Sequence, residues 1–388
     1  MKRPHKILQF ATLIWRQELH SITTSPSVLL VILGGVVFYA LLYNLLYRPN
    51  VVHDAPIVVV DESHSHISRE LIKRIDASPS ASISGSVATL NDGYELLETE
   101  QAQAILYFPH DFAKQIGRAG KATLILQPNT TSFLYYEATA GAVIDATLSL
   151  AEEYRREKMW MLPQDVVIKL ANSPTPQLIG NVLFNPNKGY ADYLIPPVLI
   201  LIIFQTMTMA ITMTHSGQAA RHTTPTIGLA RSYGKRALEV GCRALFYTAL
   251  YGLLSLFLLA TIPQIFNLPH TANALTIIAF LIPFLIATSL FAQAFARLFR
   301  GGEDGLLFIT FFSVGLIFLS GISFPLQQIP QPWHTLHYLL PATVGIRGYV
   351  GIGTMGAALS DISPQIWLLL VQSSIYFLIA TFTGKRDG

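Results

Sequence analysis

The chain has 388 residues, of which 51% are hydrophobic and only 13% are charged. A composition this apolar is typical of an integral membrane protein. The formal net charge of +3 is small, which argues against a nucleic-acid partner. The single cysteine, Cys242, excludes an internal disulfide and a cysteine-rich metal site.

Residues 1–26 combine basic side chains with apolar residues near helical spacing. This pattern predicts a cytoplasmic amphipathic helix on the inner membrane surface, with a plain basic leader as the alternative. The uncharged stretch Ser27–Tyr47 follows and is long enough for a first membrane span. It is too long for the core of a signal peptide and no small-residue cleavage site follows it, so we expect a retained anchor.

Residues 48–190 are charged, are interrupted by prolines and contain no apolar run long enough to cross a membrane. Short apolar runs alternate there with segments of helical spacing, which predicts a soluble α/β domain. The expected strands are Ala55–Val60, Val87–Leu90, Ala104–Phe108 and Ala122–Gln127. The expected helices are Ser65–Ile75, Tyr94–Glu100, Asp111–Ile116 and a long, ion-paired helix at Phe133–Leu162.

Residues 191–388 carry five further apolar runs of spanning length. They are Tyr193–Met213, Leu238–Ile262, Ala274–Phe299, Leu306–Phe324 and Gln365–Phe382. The predicted fold is therefore an α-helical integral membrane protein with six transmembrane helices and an α/β extracytoplasmic domain inserted between helices 1 and 2. Threonine and glutamine side chains within these spans fit contacts between helices better than contacts with a substrate.

The segment after the fifth of the six spans, residues 325–363, stays apolar and aromatic although prolines break it. Broken backbone at membrane depth is tolerated only where protein or enclosed water satisfies its polar groups. We therefore expect short re-entrant or interfacial helices packed on the bundle, with an apolar surface loop as the alternative.

Basic residues are concentrated in every second connection between the predicted spans. The N-terminal tail, the loop 214–237, the turn near residue 300 and the C-terminus are basic, whereas residues 263–273 contain no basic side chain. The positive-inside rule then places both termini and the loop 214–237 in the cytoplasm, and the α/β domain outside. The loop is long for an inner turn, so it fits either a docking surface for a cytoplasmic motor or a solvated connector.

Motifs for chemistry are absent from the sequence. No glycine, four-residue, Gly-Lys-Ser/Thr loop is present, so any ATP must be bound by another chain. His64 with His66, and His334 with His337, each have the spacing for two metal ligands but lack a convincing third. Neither a catalytic triad nor the zinc-protease motif occurs.

Taken together, several stretches resemble the type-2 ABC exporter permeases, in the branch with a large extracytoplasmic domain between spans 1 and 2. The likeness covers nearly the whole chain, in the order of the spans and in local motifs. Those motifs are Ile14–Leu19 ahead of Ser25-Pro26, Ala104–Phe112, Gly120–Leu126, Tyr233–Arg236, Ser320–Pro325, Ile329-Pro330 with Trp333, and Leu340–Thr343.

The resemblance implies a multi-pass protein of the bacterial cytoplasmic (inner) membrane that pairs with a second permease chain, identical or sister. Each permease would engage a separate P-loop ATPase that binds ATP and Mg²⁺, so this chain would need no cofactor. The resemblance implies docking of that ATPase through Trp15, Arg16, Glu18, Arg221, Arg231, Lys235 and Arg236. It implies an outer gate formed by Phe318, Phe324, Trp333 and Leu340.

The implied function is export of a hydrophobic drug, a lipid or another small molecule from the cytoplasm or the inner leaflet, in contact with membrane lipids. The alternative is a membrane-anchored receptor or assembly factor that acts through its outer domain without transport. The size of that domain favours the alternative, and the five closely spaced later spans oppose it. A metal-dependent membrane enzyme that uses the paired histidines is a third hypothesis.

Overall fold

The computed structural model describes residues 3–119, 122–160, 185, 189–220, 233–266, 268, 270–299 and 302–383. The chain divides into two compact units. One combines Met1–Arg48 with Val182–Gly388, and the other is Pro49–Asn181. We call them the membrane unit and the α/β unit and describe each separately.

The membrane unit begins with helix α1 (Arg3–Thr23) and continues with α2 (Pro26–Leu46), which contains a π-helical segment at Leu30–Gly35. After the α/β unit the described residues form five long helices and a two-helix insertion. The long helices are α7 (Tyr190–Ala220), α8 (Tyr233–Ile265), α9 (Ala274–Ala296), α10 (Gly302–Leu319) and α13 (Ser363–Phe382). The insertion is α11 (Gln331–Leu339) and α12 (Pro341–Gly353).

Within the described residues, five helices are long and apolar enough to cross a membrane: α2, α7, α8, α9 and α13. This agrees with a helical membrane protein. The remaining predicted span, Leu306–Phe324, which is the fifth in chain order, corresponds to α10, whose apolar part Asp304–Leu319 is shorter. It ends early because Ser320 and Gly321, the latter at a φ of +84°, turn the chain out of the helix.

Helix α7 is the centre of the membrane unit. It packs against α9, α10, α12 and the first span, α2, and its apolar side chains are buried on all sides. A helix that is apolar around its whole circumference belongs in the middle of a bundle. Its threonines do not interrupt it, because Thr206, Thr208 and Thr212 each donate to the carbonyl four residues earlier.

The short helix α12 is almost entirely buried against α7, α9 and α13. It starts with Pro341 in the first turn, where the missing N–H costs nothing. The region 325–363 thus contains two short helices, α11 and α12, in the membrane unit.

The α/β unit contains, in its described part, a four-stranded sheet of order β2-β1-β3-β4. The strands are β1 (Ala55–Asp61), β2 (Ala81–Ser86), β3 (Ala104–Phe108) and β4 (Ile125–Pro128). The first three are parallel and β4 is antiparallel to β3. The helices are α3 (His66–Asp76), α4 (Leu90–Glu98), α5 (Phe112–Ala119) and α6 (Phe133–Trp160). The predicted end of the last helix, Leu162, lies outside the described residues.

One strand prediction is wrong. The second strand is Ala81–Ser86, not Val87–Leu90, because Thr89 caps α4 in a box with Asp92 and so starts a helix at Leu90. The true strand lies at the sheet edge and carries serines and a glycine, which gave no apolar run to detect.

Candidate functional site

The α1 junction is the first site of interest. Helix α1 packs on α8, and its Ile14 and Ile22 side chains are buried. The Trp15 indole N–H donates to the Cys242 carbonyl at 3.1 Å, and its ring meets Phe246 edge to face, with 5.7 Å between ring centroids. Trp15 remains 41% exposed, so one side of its ring is still available.

Glu18 lies at the heart of this junction and is only 2% exposed. One carboxylate oxygen is 3.0 Å from Arg243 Nε, and the other accepts a hydrogen bond from the Tyr247 hydroxyl at 3.0 Å. Arg243 also contacts Glu239, with Nη2 and Oε1 3.1 Å apart. Two carboxylates therefore surround one guanidinium, so the buried cation does not depend on a single partner.

The Tyr247 hydroxyl extends this network to the central helix, because Thr214 Oγ1 on α7 is 2.9 Å from it. A carboxylate only accepts, so the Tyr247 hydroxyl donates to Glu18. The single Thr214 hydroxyl proton is then shared between the Tyr247 oxygen and the carbonyls of Ala210 and Ile211, which lie 2.9 and 3.0 Å away. Three helices, α1, α8 and α7, thus meet through one chain of polar contacts. The spacing of four residues between Glu239, Arg243 and Tyr247 places all three on one face of α8.

The predicted docking residues fall into three groups. Arg16 and Lys235 are exposed, and Arg236 is half-buried. Arg221 and Arg231 lie outside the described residues. Glu18 is buried and held by Arg243 and Tyr247, so its carboxylate does not face a docking partner.

The second site, the α11 corner, is the turn from α11 into α12. The last carbonyls of a helix have no partner within that helix, and in a membrane they need other donors. Side chains supply them here. Thr343 Oγ1 is 2.6 Å from the His337 carbonyl and 2.7 Å from that of Leu340. From α13, Gln372 donates to the Tyr338 carbonyl at 2.8 Å and Tyr376 donates to that of Leu339.

His337 ties the same corner to the end of α10. Its Nδ1 is 2.8 Å from the Leu319 carbonyl, so Nδ1 carries the proton. Burial lowers the pKa of His337, although the bond to Leu319 opposes this shift. Nearby, the Tyr193 hydroxyl on α7 donates to the Ile322 carbonyl at 2.6 Å. The corner is therefore held by α7, α10 and α13 together.

The two sites lie at opposite ends of α7. Tyr193 and Thr214 are separated by 21 positions on this helix, which at about 1.5 Å per residue is about 30 Å. This distance matches the hydrocarbon core of a bilayer.

The predicted gate residues are not equivalent. Phe318, Phe324 and Trp333 are exposed, whereas Leu340 is 5% exposed and belongs to the bundle core. Phe318 ends an exposed apolar stripe on α10, defined by Leu307, Phe311, Val314 and Phe318. Phe311 in its middle is 79% exposed. This face of α10 is uncovered within one chain, so in the protein it meets lipid or another chain.

Metal binding finds no support in the described part of the chain, where no three His, Cys, Asp or Glu side chains are grouped to hold an ion. His337 faces the Leu319 carbonyl, and the His334 ring packs edge to face on Tyr338.

Sequence reasoning missed Arg243, Tyr247 and Thr214 at the junction, and Gln372 and Tyr376 at the corner. One signal was available: Arg243 is a charge within the predicted span Leu238–Ile262, and an ionisable residue at membrane depth marks a functional or paired site. Its partner could not be identified from sequence, because Glu18 precedes Arg243 by 225 positions and lies outside the predicted spans.

The long apolar helices define a multi-pass helical membrane protein. Residues 26–382 match the family model described as ABC-2 family transporter protein. The chain belongs to this family, and it is thus a membrane component of an ABC transporter, not an enzyme. Permeases of this family normally work with an ATPase subunit. A comparison with curated proteins found no match.

Proposed function

We propose that this chain is the permease of an ATP-driven exporter in the bacterial cytoplasmic membrane. It works as a pair of permease chains with separate P-loop ATPase subunits, which bind the ATP and Mg²⁺. The cargo is a hydrophobic drug, a lipid or another small molecule that leaves the cytoplasm or the inner leaflet. In this arrangement α10 also crosses the membrane and completes six spans, both termini are cytoplasmic and the α/β unit is extracytoplasmic.

The observation that carries this proposal is the basic surface beside the α1 junction. Arg16 is two residues from the buried Glu18, and Lys235 precedes Arg243 by eight residues, about 12 Å along α8. Two exposed cations therefore flank the place where α1 meets the bundle. This is the end that the positive-inside rule assigns to the cytoplasm, where an ATPase would bind.

The docking surface in this proposal contains Trp15, Arg16, Lys235 and Arg236, with Arg221 and Arg231 from the connecting loop. The gate contains Phe318, Phe324 and Trp333, which are exposed on one chain and would face the second permease chain. Leu340, which lies at the α11 corner and belongs to the bundle core, completes the proposed gate.

Docking is tested by purifying the tagged chain in mild detergent and measuring the ATPase that accompanies it. We expect a stoichiometric P-loop ATPase with the unsubstituted chain and at least a tenfold loss when Arg231, Lys235 and Arg236 all become Glu. Lys73→Glu is the matched control, because Lys73 is an exposed cation of the α/β unit. Absence of any ATPase from the unsubstituted complex would refute the proposal.

A further inference from the structure

The position of Glu18 points to a task different from docking. Its carboxylate is buried, yet it belongs to the short N-terminal helix that carries the exposed Arg16. We propose that Glu18 is a positioning residue that couples α1 to the central helix α7 through Tyr247 and Thr214. This inference rests on the proposed function, since it describes how movement of a docked ATPase reaches the bundle.

Side-chain contacts attach α1 to α8. Helix α1 is joined to α8 at two successive points: Trp15 on the Cys242 carbonyl, and Glu18 on Arg243 and Tyr247. These contacts lie within one turn of α1, and on α8 they extend from Cys242 to Tyr247. Only the second point continues onward, because Tyr247 is 2.9 Å from Thr214 of α7, whereas Trp15 bonds to α8 backbone alone.

The contacts of Glu18 are directional, unlike the apolar contacts of α1. Hydrogen bonds to a buried carboxylate are short and angle-dependent, and the low dielectric of the bundle strengthens them. A shift of α1 along or around its axis therefore has to move Tyr247 and Thr214 or break the network. Apolar packing at Ile14 and Ile22 imposes no such registry, since apolar contacts are not directional.

Helix α7 connects the α1 junction to the helices of the proposed gate. Helix α7 packs directly on α10 and α12, and its Tyr193 bonds to the Ile322 carbonyl near the α11 corner. Movement received at Thr214 thus acts on the helices that carry the proposed gate. Rigid helices with two arrangements are the physical means by which distant sites are coupled.

The chain offers closely matched variants for a test. Glu18→Gln removes the carboxylate charge from α1 but leaves Arg243 paired with Glu239. Glu239→Gln removes the same charge from the same arginine while leaving the link to α1 intact. Tyr247→Phe removes only the hydroxyl that joins Glu18 to Thr214. Tyr251→Phe is its control, one turn further along α8 and equally buried.

The experiment uses the permease–ATPase complex in lipid nanodiscs, with Cys242→Ser and a bimane fluorophore on Met355→Cys. Met355 is exposed just after α12, beside Gly353, which accepts a bond from Thr271 in the connection between α8 and α9. Three quantities are measured: the ATPase bound per permease, the rate of ATP hydrolysis, and the change in bimane emission on adding ATP and Mg²⁺.

We expect Glu18→Gln and Tyr247→Phe to keep the bound ATPase and at least half of its hydrolysis rate, while the emission change falls at least fivefold. Glu239→Gln and Tyr251→Phe keep all three quantities within twofold. A purely structural defect would instead lower the bound ATPase in proportion to the emission change. Tyr247→Phe guards against misfolding, because it alters neither charge nor ring packing.

Retention of the full emission change in both Glu18→Gln and Tyr247→Phe would overturn the inference while leaving the proposed function intact. Equal losses in the control variants would also overturn it, because the effect would then not follow the link to α1. If the unsubstituted chain binds no ATPase, the proposed function itself fails and the inference fails with it.

Discussion

At the scale of single residues, two glycines of α12 allow it to lie directly against α9. A Cβ atom at Gly345 would be within 2.4 Å of the Phe284 ring, and one at Gly348 would be within 2.4 Å of the Phe280 ring. Both rings are fully buried and stack on each other, with 6.2 Å between their centroids. Because both rings lie in a close-packed core, these positions accept no larger residue without a shift of the rings or of the helices.

Gly345→Ala should therefore lower the free energy of unfolding of the detergent-solubilised protein by about 1–3 kcal/mol, the usual cost of overpacking. Differential scanning fluorimetry or chemical denaturation measures it. The control is Gly315→Ala on α10, where an added Cβ meets nothing within 4 Å. Equal stability of the two variants would contradict the close approach of α12 and α9.

His337 makes the α11 corner sensitive to acid. Burial lowers its pKa, so the folded protein keeps the ring neutral at a pH where the unfolded chain, with a pKa of about 6.5, already takes up a proton. The unfolded state then binds more protons, and stability falls as the pH drops below about 6.5.

We therefore expect the thermal midpoint of the wild-type protein to fall further between pH 7.5 and pH 5.5 than that of His337→Gln, whose amide can still donate to the Leu319 carbonyl. The midpoints at pH 8 provide the reference for each protein. An identical pH response in both proteins would show that His337 makes no contribution.

Among single residues, the exposed cations could be predicted from sequence and the buried Glu18 could not. Exposed cations such as Arg16 and Lys235 could be chosen from sequence because their charge pattern alone indicates the cytoplasmic side. The role of Glu18 could not be predicted from sequence, because its burial and its pairing with Arg243 depend on how α1 and α8 pack. A carboxylate on an amphipathic helix looks the same whether it faces water or a neighbouring helix.

At the scale of elements, the α11 corner shows how a broken helix is stabilised within a membrane bundle. Its terminal carbonyls accept from Thr343 within the corner and from Gln372 and Tyr376 of α13. The prolines in the sequence predict that the helix is interrupted here. The donors lie more than 30 positions away on another helix, so the sequence could not show how the break is tolerated.

Gln372→Leu should destabilise the corner, because it leaves the Tyr338 carbonyl buried without this donor. An unsatisfied buried polar group costs about 1–3 kcal/mol. Hydrogen exchange of α11 measured by mass spectrometry should rise in Gln372→Leu and remain unchanged in Ser374→Ala, whose hydroxyl bonds only within its own helix. Unchanged exchange in both variants would show that Gln372 does not hold the corner.

The positions of the buried central strands could be predicted from sequence, whereas the position of the edge strand β2 could not. β1 and β3 lie at the centre of the sheet, so they are continuous apolar runs that stand out in sequence. β2 lies at the edge of the sheet, where several of its side chains are exposed, so serines can replace apolar residues there. The capping pair Thr89 and Asp92 identified the start of α4, and it would have moved the strand prediction to its correct place.

At the scale of the whole molecule, the apolar runs and their order could be predicted from composition and length alone. The orientation across the membrane is a separate prediction that follows from the basic loops. The burial of α7 was not predictable, because every span is apolar and only packing decides which helix lies at the centre.

Orientation is tested by single cysteines in a Cys242→Ser background, treated in intact cells with a membrane-impermeant maleimide. We expect labelling of Lys73→Cys in the α/β unit and no labelling of Lys235→Cys until the cells are opened. Both lysines are exposed, so accessibility alone does not separate them. Labelling of Lys235→Cys in intact cells would reverse the proposed topology.

The most direct test of the permease assignment is native mass spectrometry of the tagged protein extracted with the lipids around it. We expect a complex that contains two copies of the 42.8 kDa chain, or one copy with a sister permease, together with two ATPase subunits that bind nucleotide. A chain that is always released free of any ATPase, under conditions that preserve other ABC transporters, would contradict the assignment.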